Sequence, residues 1–192
     1  MTKKERRFET DNRIKDSAME VFAEYGYERA KLSDIAKRAG ISIGLIGQNF
    51  GSKQDLFMEI VKDGYANLHN VFNGIGADEQ WEAYLSGLID YFALNKDDEN
   101  MKKRLAFTST IANSKDTPPC YLEESLKELE LTPVARALRK GQQTGEVKEG
   151  QVGILYALFF RTVCNVVVTG NKYGIGIPPK EWFLSLLRKD GV

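Results

Sequence analysis

The run from Leu32 to Phe57, LSDIAKRAGISIGLIGQNFGSKQDLF, constrains this chain more than any other stretch: it reads as two short helices, a tight turn between them, and the start of a third helix. Ile35 and Ala36 supply one apolar turn, Gly40 takes the left-handed conformation that ends a helix cheaply, and Ser42 caps the next helix with its hydroxyl. Ile41 fills the corner. The second helix runs from Ile43 to about Asn49, and Ser52 followed by Asp55 forms a capping box for the helix after it. Two short helices at a steep angle make a helix-turn-helix, whose second member is narrow enough for a major groove about 12 Å wide while the first braces against phosphates. The same pieces occur in all-α proteins that never touch DNA, so the surrounding residues carry weight.

Ahead of this run, Ile14, Ala18, Val21, Phe22 and Tyr25 recur at helical spacing, and Gly26-Tyr27 ends that first helix. With Asp34-Ile35-Ala36, Ala39-Gly40-Ile41-Ser42, Gly44, Phe50, Ser52-Lys53 and Asp55-Leu56-Phe57, the segment resembles the N-terminal domain of the tetracycline-repressor (TetR) family. The resemblance covers the first third of the chain; beyond it only the architecture is similar. It implies an all-α fold with an N-terminal three-helix helix-turn-helix domain over 1–53 and a C-terminal helical bundle over 54–192 for effector binding and dimerisation. The chain departs from the family pattern at Leu45, where a small hydroxyl residue is usual, and at Gly47 and Asn49, where aromatics are common. Ala30-Lys31 replaces a pair of threonines before the second helix, leaving Ser33 to cap a shorter one. Gly47 inside a helix costs about 1 kcal/mol relative to alanine, which predicts a loose helix or one that settles on a partner.

With 192 residues, 42% of them hydrophobic and 28% charged, the chain can bury a core in one or two domains. The N-terminus carries no apolar signal region, and the longest apolar run, Val152 to Phe160, is too short to span a bilayer, so no membrane association and a cytoplasmic location are expected. Cys120 and Cys164 show no ligand spacing, and His69 is the single histidine. No metal site, no cofactor and no catalytic residues are expected, and the chain is read as not an enzyme. Zero net charge argues against a generic polycation, but Lys3, Lys4, Arg6 and Arg7 form a basic arm, and Arg13, Lys31, Lys37, Arg38 and Lys53 fall around the helix-turn-helix. Such an arm can follow phosphates or enter a minor groove.

From Ser52 the apolar positions Leu56, Phe57, Ile60, Val61, Tyr65, Leu68, Val71 and Phe72 predict a long helix ended by Gly74-Ile75-Gly76. An aromatic-rich helix follows from Trp81 to Phe92, another over Met101 to Ala112, then a loop at Ser114–Pro119, a short helix over Tyr121–Glu130, and one opened by Thr132-Pro133. Gln151 to Thr169 reads as a helix apolar nearly all round, which must be covered on more than one side. Gly170 to Gly176 is expected to be a loop before a last helix opened by Pro178-Pro179. Nine or ten helices result, with no repeat and no strand pattern.

These features assign roles. Gln48 and Asn49 can bond adenine through their amides, Ile43 and Leu45 can touch thymine methyls, and Lys31, Lys53 and the arm can hold phosphates, with Ser33 and Ser42 at the helix starts completing the DNA-binding set. Phe72, Trp81, Tyr84, Tyr91, Phe107 and Phe160, with Thr108 and Asn165 as polar handles, are candidates to line an effector pocket, each also readable as plain core. Leu155, Phe159, Val163 and Val167, with Trp182 and Leu186, are candidates for a dimer interface, the alternative being burial within one subunit. The resemblance implies a homodimeric transcriptional regulator, a repressor released by a small-molecule effector from a palindromic operator in double-stranded DNA. A hydrophobic or aromatic effector is favoured over a highly charged one. The alternative is a protein-interaction module of the same fold with weak or lost DNA binding, suggested by Leu45, Gly47 and Ala30.

Overall fold

The computed structural model describes residues 2–75, 80–112, 114–115, 117–130, 132–173 and 176–189. Among them lie ten helices: α1 (Lys3–Arg29), α2 (Leu32–Ala39), α3 (Ile43–Phe50), α4 (Lys53–Ile75), α5 (Trp81–Leu94), α6 (Glu99–Ala112), α7 (Pro119–Glu130), α8 (Pro133–Thr144), α9 (Val152–Tyr173) and α10 (Lys180–Ser185). The chain is all-α, as the sequence implies. The single extended pairing among the described residues is an antiparallel bridge between Val147 and Arg188.

The helix ends follow local chemistry. Gly40 ends α2 at φ 64° and ψ 40°, and the Ser42 hydroxyl accepts the Leu45 N–H to start α3. The capping box of α4 is reciprocal, with Asp55 N–H donating to Ser52 Oγ and Ser52 N–H donating to Asp55 Oδ2, at 3.1 and 3.0 Å. The Ser52 hydroxyl also donates to Asp55 Oδ2 at 2.6 Å, and this bond first, with the Ser52 N–H second, holds the Asp55 carboxyl below its usual range. Thr132 caps α8 ahead of Pro133. The helical backbone of α1 breaks at Gly26, at φ 76° and ψ 169°, where the sequence implies a stop, and beyond the break Tyr27 is buried while Tyr25 is left exposed. Three local expectations need correction. Ser33 does not cap α2; that helix begins at Leu32 with Lys31 in the cap position and no side-chain cap bond. Pro119 opens α7 from within, as proline can at a first helical position, and α9 continues past Gly170 to Tyr173.

The helices form two compact units, whose division differs from a single cut after Lys53. The first comprises residues up to Gly64 together with Lys103–Tyr121; the second comprises Tyr65–Lys102 and Leu122 onward. In the first unit α2 packs on α1 and α3 on α2. Its centre is aromatic: Phe22 stacks with Tyr27, meets Phe57 edge-on at 5.4 Å and lies 6.2 Å from Phe107, while Phe57 also meets Tyr121 edge-on at 6.0 Å. Each such pair adds roughly 0.5–1.5 kcal/mol beyond its area burial. The helix-turn-helix is thus completed by side chains from α6 and α7.

In the second unit α5 packs on α8, α9 and α10, and α9 packs on α8 and α10. Leu85, Leu88, Ile89 and Phe92 of α5, Leu138 of α8, and Phe159, Val163 and Val167 of α9 are buried. At Gly141 an added Cβ would stand 2.5 Å from Val147 Cγ2 and 2.8 Å from Trp81 Cδ1, so glycine is what lets α5 and α8 close up there.

Candidate functional site

The exposed face of the first unit is built around α3. Only Ile46 of this helix is fully buried, acting as its anchor, whereas Ile43, Gly44, Gly47 and Gln48 face solvent together and Leu45, Asn49 and Phe50 are half-buried. Ile43 is 51% exposed, an apolar side chain held out on a small helix that carries no charge of its own. A Cβ on Gly47 would meet nothing within 4 Å, so the missing side chain is not demanded by packing. The fold therefore presents an uncharged helix edge bearing one amide and two apolar contacts, with cations supplied from beside it.

Those cations divide into two sets. Lys31 and Lys37 are exposed, and the basic arm is helical, not extended: Thr2 and Glu5 form a capping box that starts α1 at Lys3. Lys3, Arg6 and Arg13, with Thr10 between them, recur at spacings of three, four and three residues and share a face with Arg7, giving a stripe rich in cations. A helical arm cannot thread a minor groove as an extended strand would; it can lie along phosphates. The other set is engaged internally. Arg38 donates to Glu24 at 2.7 Å and stands 3.7 Å from Glu20, which also pairs with Lys103 of α6. Hydrogen bonds with Tyr25 and Arg38 keep the Glu24 carboxyl low.

Lys53, expected as a phosphate contact, is engaged within the chain. Its ammonium donates to the carbonyls of Tyr27, Glu28 and Ala30 at 2.9, 3.2 and 3.2 Å and lies 4.4 Å from the centre of the Tyr27 ring. Lys53 closes the open carbonyl end of α1, where a cation is favoured by the helix dipole. Asn49 likewise turns inward, donating from Nδ2 to Asp11 Oδ1 of α1 at 2.7 Å. Asp11 was not legible as a partner, since 38 residues separate the two and neither spacing nor pattern connects them.

The expected pocket residues fall in both units. Phe107 belongs to the aromatic core of the first unit, and Thr108 donates to the Arg104 carbonyl one turn earlier. Both therefore lie outside the unit that holds the others. In the second unit Trp81 is buried and donates from Nε1 to Glu146, Tyr84 is buried, and Tyr91 and Phe160 flank Phe92, each ring edge-on to it at 5.7 Å. Asn165 is exposed. The Phe72 side chain lies outside the described residues.

The expected dimer residues split as well. Phe159, Val163 and Val167 are buried within this chain and are corrected to core positions. The same helix exposes Ile154 and Leu158, at 49% and 56%, with Leu155 half-buried; Trp182 of α10 and Leu186, just past its end, are exposed as well. The α10 helix is short, six residues, so α9 is the only long helix with an uncovered apolar edge among these.

Residues 14–60, from the buried Ile14 of α1 through the first turns of α4, match the model of the bacterial regulatory proteins of the tetR family. The N-terminal domain is that of the TetR family. The chain is a DNA-binding transcriptional regulator, and its relatives are transcriptional regulators. The fatty acid metabolism regulator protein of Bacillus subtilis (strain 168) is 29% identical to this chain over 159 residues, covering 81% of it and 80% of the relative. The crystal structure of a TetR family transcription regulator from Marinobacter aquaeolei VT8 superposes with a TM-score of 0.76 at 14% identity, over 97% of this chain and 99% of that one. The fatty acid degradation regulator FadR from Bacillus halodurans gives a TM-score of 0.64 at 23% identity, over 91% and 94% of the two chains. No described helix is long and apolar enough to cross a membrane.

Proposed function

We propose that this regulator is a homodimeric repressor that holds a palindromic operator through α3 and is released by an effector carrying a fatty acyl chain. The observation that supports the DNA reading most directly is the exposed edge of α3, Ile43, Gly44, Gly47 and Gln48, with Lys31, Lys37 and the helical basic arm beside it. Gln48 bonds a base edge, Ile43 and the half-buried Leu45 meet thymine methyls, and the cations hold phosphates on either side. Two such helices about 34 Å apart fit one turn of B-DNA, which requires a two-fold pair of subunits. Ile154 and Leu158 of α9, with Trp182 and Leu186, supply the apolar surface for that pairing. The effector class rests on the relative that regulates fatty acid metabolism and on the aromatic, weakly charged interior of the second unit around Tyr84, Tyr91, Phe92 and Phe160.

Selection of bound duplexes from a random library tests the first part: an inverted repeat should be enriched, and recovery of no preferred sequence removes the operator. Fluorescence anisotropy on the selected duplex then tests release, with oleate and oleoyl coenzyme A as probes. Loss of binding with either supports the acyl class; unchanged binding with both rejects it.

A further inference from the structure

Resting on the reading of α3 as the groove helix, we propose that Asp11 and Asn49 form a positioning pair that sets the rotation of α3 about its own axis, and that Asn49 does not read a base. The helix is eight residues long and has a single fully buried side chain, Ile46. One buried anchor fixes where a short helix sits but leaves its rotation weakly constrained. Asn49, one turn further on, supplies the second point of attachment through the 2.7 Å bond from Nδ2 to Asp11 Oδ1. A carboxylate only accepts, so the Asn49 NH₂ must face it. Adenine recognition needs the NH₂ and carbonyl of one amide aligned together on the base edge, and an amide held against α1 cannot turn to make that pair. The second oxygen of Asp11 lies 3.8 Å from Arg7 Nε, so the carboxylate has a cation of the basic arm beside it and is not an uncompensated charge on the DNA face. Gln48, exposed on the neighbouring edge, is left as the amide that reads sequence.

The test compares Asp11→Ala with Asp11→Asn on the selected duplex and its single-base variants. Both remove the negative charge, but only alanine removes the acceptor. Asp11→Ala and Asn49→Ala should each weaken binding by roughly three- to tenfold, the scale of one hydrogen bond, with no single base position singled out. The double alanine variant should be no worse than either single one, and Asp11→Asn should bind at least as well as the unaltered protein. Hydrogen exchange in the free protein gives a readout independent of DNA: amides from Gly47 to Phe50 should exchange faster in both alanine variants and not in Asp11→Asn. The pair is rejected if Asn49→Ala relaxes preference at one base pair while Asp11→Ala leaves the profile intact, if Asp11→Ala binds as well as Asp11→Asn, or if exchange is unchanged in the alanine variants. An unaltered protein that selects no sequence rejects the groove reading itself, and the pair with it.

Discussion

Lys53 directs its ammonium hydrogens at three carbonyls that end α1, and its place over the Tyr27 ring adds a cation–π contact. Truncation to alanine should therefore lower unfolding stability by roughly 1–2 kcal/mol, read from a urea titration, with the salt dependence of DNA binding nearly unchanged. Lys31→Ala should do the reverse, leaving the urea midpoint in place and reducing the slope of log K against log salt by about one. Equal salt slopes for Lys31→Ala and the unaltered protein would remove Lys31 from the phosphate set. Gln48→Ala should cost about 1–3 kcal/mol of operator affinity, concentrated at one base pair of each half-site. Residues whose partners lie within one helical turn were legible in the sequence: Gly40, Ser42, the Ser52–Asp55 box and Thr132 all act as their spacing implies. Asn49 and Lys53 were not, because their partners lie 38 and up to 26 positions away, and residue type alone does not distinguish an amide facing DNA from one facing Asp11.

At the scale of elements, α9 explains why an interface was harder to place than a helix. A segment apolar on every side announces that it is buried without saying which side meets its own subunit. The structure turns Phe159, Val163 and Val167 inward and Ile154 and Leu158 outward. Leu158→Glu should yield a folded monomer with weakened operator binding, whereas Val163→Glu should fail to fold, because it buries an unpaired charge at a cost of several kcal/mol. Light scattering and circular dichroism separate the two, and a dimeric Leu158→Glu protein would move the interface elsewhere. On α3, Gly47→Ala should raise stability by up to about 1 kcal/mol, since an added methyl meets nothing and the helix gains propensity. A fall in the melting temperature would mean that the glycine has a packing role in the folded unit.

For the whole molecule, α4, α6 and α7 each belong in part to both compact units, so a change in the second unit has three covalent helices by which to reach the reader. If an acyl effector weakens operator binding by some factor, operator must weaken effector binding by the same factor, typically 5 to 150-fold; a probe bound equally by free and DNA-held protein would exclude coupling. Burial pushes the Cys164 thiol and the Tyr156 phenol above their ordinary ranges. Both are neutral in the folded state, so their contribution is full below the unfolded thiol value of about 8.5 and is lost as pH rises beyond it. The urea midpoint should accordingly fall between pH 8 and pH 11, and a flat profile there would show that neither group stays buried and neutral. The fold class was legible because helical periodicity is local; the extent of the first unit was not, since Phe107 and Tyr121 join Phe22 and Phe57 from far along the chain. That closure has a consequence for synthesis. A nascent chain that has emerged through Gly64 has every residue of the helix-turn-helix but lacks part of its aromatic centre, and it waits until Tyr121 emerges, on the order of 3 to 10 s at ordinary translation rates. The aromatic centre of the first unit is thus complete only after residues 65–102 of the second unit have been translated.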